Sequence, residues 1–444
     1  MTYHSIRSKF SSACLFFLVT CKLFGQQTTI FKNVNIIPIH KNTILYNQDV
    51  VVKYGVIERI VKSSKKRYKS ATLIDATNQY LIPGLADMHV HIPRQTKYGY
   101  GTDEFLKLQL AAGVTHLRSM RGADADLVIQ KEATQKTNPD IYTSAPPFYA
   151  SRVWIRGDSL QKLLKSYQSQ GYQSLKVLSV PSVAWFDTLA QLAQNHSFKL
   201  SGHVPNGVTI AHALSKGLNS IEHLGGYENL SINSPELSAA IEQTKTRQVY
   251  NCPTLDWYFV NYTQVPYNEL KKRPGLDRLP TGLVASWTKT FDDYFAKQAQ
   301  KHPDSLRKEQ QVEKEYIEKK LIILSKLHQN GCKLLVSPDA STVFQVPGLA
   351  MIDEMKWYKK AGLPEYDILR AATLNAAEYM GEANQWGSIQ KNNVADLVLL
   401  AANPLEDIEN LRKIKGVMKR GQWFSASQIN ELIQTCKQNY REQP

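Results

Sequence analysis

The stretch Leu81-Ile-Pro-Gly-Leu-Ala-Asp-Met-His-Val-His-Ile92 decides how the rest of the chain is read. Its apolar run ends in His89 and His91, spaced i and i+2. On a β-strand that spacing points both imidazoles to one face. Two neutral imidazoles converging from one strand make half of a coordination shell for a divalent transition metal. A His-x-His pair is weak by itself, so its meaning depends on what lies downstream.

From Leu81 to about Met380, short apolar runs alternate with amphipathic segments. Strands are expected over 86–90, 114–118, 141–145, 174–180, 199–203, 220–224, 249–255 and 333–339. Helices are expected between them, among others at 103–112, 159–170, 185–195 and 209–216. Eight strands separated by helices predict a parallel (β/α)8 barrel. Upstream, alternating runs at 31–37, 49–53, 56–61 and 72–75 predict a small antiparallel sheet. Downstream, 386–400 and 414–424 return to strand character, and 425–439 reads as a closing helix. The fold class is therefore α/β: a TIM-like barrel over 83–383 with a small β-sandwich domain built from both chain ends, 26–82 and 384–444. The interval 256–330 breaks the rhythm and is strongly helical over 305–329. It reads as decoration after strand seven, either a lid or a packed peripheral pair of helices.

Composition narrows the function classes. The 444 residues are 43% hydrophobic and 21% charged, ordinary values for a globular enzyme. The formal net charge is +15, of which Arg7, Lys9 and Lys22 contribute three, leaving +12 once residues 1–25 are removed. No basic motif interleaved with aromatics accompanies that charge, so nucleic acid is not an expected partner. A positive field could instead steer an anionic small molecule. Residues 1–25 read as a secretory signal, with basic residues, then an apolar core over 13–20 too short to span a bilayer. Export to a periplasm or the exterior is expected. A lipid anchor at Cys21 is the lesser reading, because Thr20 suits a lipobox poorly. Cys252, Cys332 and Cys436 are too sparse for a disulfide framework.

The polar residues fall at telling places. His89 and His91 end the first expected barrel strand, Lys176 lies within the fourth, and His203 and His223 end the fifth and sixth. Asp339 ends the eighth. In such a barrel the carboxyl ends of the strands share one face, where active sites sit. His116, His196, His212, His302 and His328 have no such placement and are expected to be structural or exposed.

This ordered set resembles the amidohydrolase superfamily, close to its imidazolonepropionase-like and Xaa-Pro dipeptidase-like branch. The resemblance is carried by 83–91, by Ala112-Gly-Val-Thr115, Ser220-Ile-Glu-His223, Pro253-Thr-Leu255 and Ala371-Ala-Thr-Leu-Asn-Ala-Ala377. Gly387-Ser-Ile389, Ala395-Asp-Leu-Val398 and Asn403-Pro-Leu405 add to it. It implies that His89, His91 and Asp339 bind one divalent ion, His203 and His223 a second, and that Lys176 bridges them as an N-carboxylated side chain. Zinc is the expected metal, and Asp339 would shuttle the proton.

The expected activity is hydrolysis of amide or imide C–N bonds in a small, carboxylated substrate such as an acylated amino acid or dipeptide. Arg118, Arg152, Tyr227 and Tyr258 are the candidate substrate contacts, because a carboxylate calls for cationic or hydroxyl donors. The alternatives are a mononuclear cyclic amidase or deaminase, and a non-catalytic binding protein on the same scaffold. A homo-oligomer is compatible with either. The chain departs from the family pattern at His116-Leu-Arg-Ser-Met-Arg121, at Ser337-Pro-Asp339 and in the loop Pro146-Pro-Phe-Tyr149, so the substrate does not carry over.

Overall fold

The computed structural model describes residues 28–440 apart from 66–67, 69, 134–137, 153–154, 156 and 341. The expected export signal and Cys21 lie outside the described residues. Strands β1 (Thr28–Ile36), β2 (Leu45–Lys53), β3 (Val56–Lys62), β4 (Ala71–Asp75) and β5 (Tyr80–Pro83) come first. They are followed by β6 (Leu85–Val90), β7 (Val114–Ser119), β8 (Asp140–Thr143) and β9 (Ser174–Val177). Next come β10 (Lys199–Gly202), β11 (Leu218–Glu222), β12 (Tyr250–Cys252) and β13 (Lys333–Leu334). The chain closes with β14 (Leu397–Leu400), β15 (Ile414–Lys419) and β16 (Gln422–Ser425), then the helix Ala426–Gln438.

The first five and last three strands form one sheet of eight, in the path β16-β15-β14-β5-β1-β2-β3 with β4 beside β1. Both chain ends therefore build it. The sheet is mixed rather than antiparallel as expected: β1 runs parallel to β4 and to β5. Side-chain alternation fixes which face a strand buries but carries no information on strand direction, which is why the sequence could not settle it. Two hairpins turn on Tyr54-Gly55 and Arg420-Gly421, with φ of 53°, 77°, 48° and 81°. Positive φ at both central residues is the turn whose twist matches the flanking strands. The two turns touch: a Cβ on Gly421 would lie 2.6 Å from the Gly55 Cα.

Strands β6 to β13 pair in parallel and in sequence order, as the runs β6-β7-β8 and β9-β10-β11-β12-β13. Parallel bridges Ser144↔Ser174 and Phe148↔Val177 join the two runs. On the opposite side Met88 N donates to Val336 O at 3.1 Å. Helices alternate with these strands and bury an apolar stripe. Asp158–Gln170 buries Leu160, Leu164 and Tyr167 and ends at Gly171, where φ of 100° makes a left-handed cap. Expected strand 333–339 is only two residues long in regular pairing, although Leu335 N still bonds Asn251 O at 2.8 Å. Pro338 has no N–H to extend the ladder.

The interval after β12 carries the helices Leu255–Asn261, Tyr267–Leu270, Thr281–Gln298 and Pro303–Gln329. The last opens on proline at its first turn, where a missing N–H costs nothing. Among the described residues, no helix is long and apolar enough to cross a membrane. Cys252, Cys332 and Cys436 are free and buried.

Candidate metal centre

Four strand ends and one strand interior deliver the polar groups. His89 lies in β6 and is fully buried, with His91 just beyond it. Lys176 lies in β9 and is 2% exposed. His203 and His223 each follow their strand by one residue, and Asp339 lies five past β13. Gly202 makes the approach of His203 possible: its φ is 134°, and a Cβ there would meet Val177 O at 2.0 Å.

His223 and Asp339 have φ of 63° and 52°, and Thr254 beside them has 52°. A left-handed conformation at a non-glycine residue costs about 1–2 kcal/mol. Such cost is retained where the surroundings fix it, commonly at functional sites. Here it has a geometric consequence. Regular alternation would aim Glu222 and His223 to opposite faces, and the turn at His223 brings both to the interior.

The groups meet. His89, His223 and Asp339 offer ligand atoms that all lie within 4.8 Å of one another. The His89 and His223 rings are 4.8 Å apart, and His203 and His223 4.9 Å, between centroids. His91 Nε2 is 3.2 Å from Asp339 Oδ1, and Lys176 Nζ is 3.0 Å from His89 Nε2. A cavity of about 520 Å³ opens onto His91, Lys176, His203, His223 and Asp339, with Tyr258 on its wall.

Electrostatics prepares these groups as ligands. Burial pushes His203 down to about 4 and His223 to about 3, and holds His89 well below the ordinary imidazole range. All three are neutral at pH 7, the form that binds metal. Burial would raise Asp339, but His89, His91 and His223 outweigh it and keep the carboxyl ionised. Lys176 is lowered to about 8 by burial, with Arg118 adding to the effect.

Hydrogen bonds fix the tautomers. Thr254 donates its hydroxyl to Pro253 O at 2.8 Å, so its oxygen accepts from His223 Nδ1 at 2.6 Å. Glu222 Oε2, 2.7 Å from His89 Nδ1, can only accept when ionised. Both rings therefore carry hydrogen on Nδ1 and leave Nε2 bare. A carboxylate holding the far nitrogen of a histidine is the support that metal ligands commonly have. His91 Nδ1 is buried and has no hydrogen-bond partner among the described residues. This donor set of imidazole nitrogens, carboxylate oxygen and a depressed lysine fits a divalent transition ion.

Two expected substrate contacts are overturned. Arg118 is fully buried and wholly engaged: Nη2 bonds both Glu222 oxygens at 2.8 and 2.9 Å, Nε bonds Met88 O and Nη1 bonds Ser220 Oγ. Its guanidinium also lies 4.9 Å over the Tyr379 ring. Position 118 is next to last in β7, and its side chain is buried against Met88, Ser220 and Glu222, out of reach of substrate. Tyr227 is likewise buried, with its hydroxyl 2.6 Å from Thr244 Oγ1. Arg152's side chain lies outside the described residues. Glu222 and Thr254 were not anticipated, although Ser220-Ile-Glu-His223 and Pro253-Thr-Leu255 had been singled out as stretches; an acid next to a ligand histidine was the available signal.

The amidohydrolase family model matches residues 80–424, most of the chain. The chain belongs to the amidohydrolase family. Among solved structures, a Xaa-Pro dipeptidase with bound methionine is similar at 15% identity and a TM-score of 0.68, over 90% of this chain and 100% of that one. A bottromycin amidohydrolase gives 21% identity and a TM-score of 0.70, over 92% and 90%. At such identities the likeness shows the fold. An adenine deaminase of Clostridium perfringens is 25% identical over 206 residues, 41% of this chain and 36% of the deaminase. The chain thus spans about a third of that curated relative.

Proposed function

We propose that this amidohydrolase is a two-metal enzyme cleaving the amide bond of a small acylated amino acid or dipeptide. One observation carries the reading: His89, His223 and Asp339 converge within 4.8 Å in a buried centre that also holds His91, His203 and Lys176. His89, His91 and Asp339 would hold one ion, His203 and His223 the other, and Lys176 would bridge them after carboxylation. A lysine lowered to about 8 has a usable fraction of neutral amine for reaction with carbon dioxide. Bound divalent ions, zinc by donor type, would supply Lewis acidity and water of lowered pKa.

The chain's own groups do the rest. Asp339 accepts the proton of the attacking water and passes it to the departing nitrogen. Glu222 and Thr254 keep His89 and His223 in the tautomer that leaves Nε2 free. Tyr258, on the cavity wall, is the remaining hydroxyl donor of the expected substrate contacts. The position of Lys176 beside His89 favours this reading over a mononuclear deaminase, which has no use for a lysine there. The export expected from residues 1–25 would place the reaction outside the cytoplasm.

The test is initial-rate hydrolysis of N-acyl amino acids and dipeptides by zinc- and bicarbonate-replete protein. Turnover that falls at least 100-fold on chelation and returns with metal is the expected result. Adenine deamination with no amide hydrolysis would overturn the proposal in favour of the deaminase.

A further inference from the structure

A second cavity, of about 710 Å³, adjoins the first and shares His91 and Arg121 with it. Its wall is mixed, with Arg94, Asp126 and Gln345 among its polar groups, and on one side the helical interval after β12 supplies the apolar Leu279, Leu283 and Trp287. Tyr100 and Phe105 face them from the first βα segment. The Trp287 ring sits edge-to-face against Phe344 at 5.9 Å, which holds this side of the wall.

The charges differ across the boundary. Arg94 is neutralised by Asp126 at 2.8 Å, and Asp126 also bonds Ser119 Oγ. Arg121 is exposed and forms no ion pair or hydrogen bond with any described residue. A free guanidinium where two chambers meet, beside a metal-centre histidine, is a carboxylate receptor by its chemistry.

We propose that Arg121 binds the α-carboxylate of the substrate's amino-acid half and that the larger chamber receives a bulky apolar side chain on that same half. This rests on the hydrolytic reading above. In an N-acyl amino acid the carboxylate and the side chain branch from one carbon, which is bonded to the scissile nitrogen. With the carbonyl at the metal centre, that carbon lies at the junction, so the carboxylate meets Arg121 as the side chain enters the larger chamber along its apolar side, beside Leu283 and Trp287. Hydrolysis adds the hydroxyl of water to the carbonyl carbon and its hydrogen to the nitrogen, releasing a free aromatic or branched amino acid. The interval after β12 is then a wall that sets specificity.

The probes are N-acetyl-phenylalanine, N-acetylglycine and N-acetyl-phenylalaninamide, offered to metal-replete protein. Initial rates read the result where these are turned over, and titration calorimetry reads it where they are not. A charge-assisted pair contributes about 1.5–3 kcal/mol, so a carboxylate-over-carboxamide preference of roughly 10- to 100-fold is expected. Arg121→Gln should reduce it below about 5-fold. Burying the phenyl ring should give about a 30-fold preference over glycine. Trp287→Ala, and Leu283→Trp which fills the chamber without deleting core, should each reduce that preference below about 5-fold. Hydrolysis without either preference, or preferences untouched by these variants, overturns the inference and leaves amide hydrolysis standing. Selective binding without hydrolysis overturns the hydrolytic reading instead.

Discussion

Glu222 shows how much of the centre depends on a side chain that touches no substrate. It is fully buried, accepts from Arg118 and fixes the His89 ring. Glu222→Gln removes the charge that balances Arg118 and puts an amide against an Nδ1–H that needs an acceptor. Breaking a buried pair in this way costs about 3–5 kcal/mol, and disturbing a ligand's supporting partner costs about 10- to 100-fold in metal affinity. Denaturant unfolding and metal titration check both, and an unchanged value in each would remove Glu222 from the centre. The sequence allowed the histidines and Asp339 to be placed at or beyond strand ends and Lys176 inside β9, while their reading as ligands came from the resemblance. Arg118 was misplaced because a strand position gives the direction of a side chain but not the buried acceptors, here Met88 O, Ser220 and Glu222, that consume its donors.

At the scale of elements, the helix Pro303–Gln329 is bound to the centre rather than hinged over it. Lys320 is wholly buried and donates to His223 O at 2.7 Å. It also pairs with Glu228, lies 4.0 Å over the Tyr258 ring and 4.8 Å over that of Tyr316. The helix thereby braces the strained turn at His223 from behind. Lys320→Met keeps the length and loses every one of these bonds. The expected result is a kcat reduced about 10-fold with a smaller change in KM, a carbonyl–ammonium bond being worth about 1.5 kcal/mol or more. Faster proteolysis of the interval 256–330 should accompany it; a variant with wild-type kcat and protease resistance would restore the lid. The helix itself was readable from its periodicity. Its anchoring was not, because a buried lysine is indistinguishable in sequence from the solvated ones around it.

Across the whole molecule, the two chain ends are tied to the parallel strands by charge as well as by pairing. Lys419, fully buried before the Arg420-Gly421 turn, donates to Asp140 at the start of β8 and to Asp396, each at 2.8 Å. His116 stacks on Trp386 at 3.6 Å and faces the same two carboxylates. His116, Asp140 and Asp396 could be mistaken for a metal site, but Lys419 and Arg420 together already balance the two acids. The order of strands and the sharing of one sheet by both ends were legible, since each follows from short runs in sequence order. The mixed pairing of that sheet was not, because alternation is blind to direction. The proposal that unites all three scales is a pair of cations at the strand ends, and elemental analysis of protein prepared with zinc and bicarbonate tests it most directly. Two metal ions per chain, falling to one or none in Lys176→Ala, is the expected result. A folded wild-type protein that holds one ion or none under those conditions would contradict it.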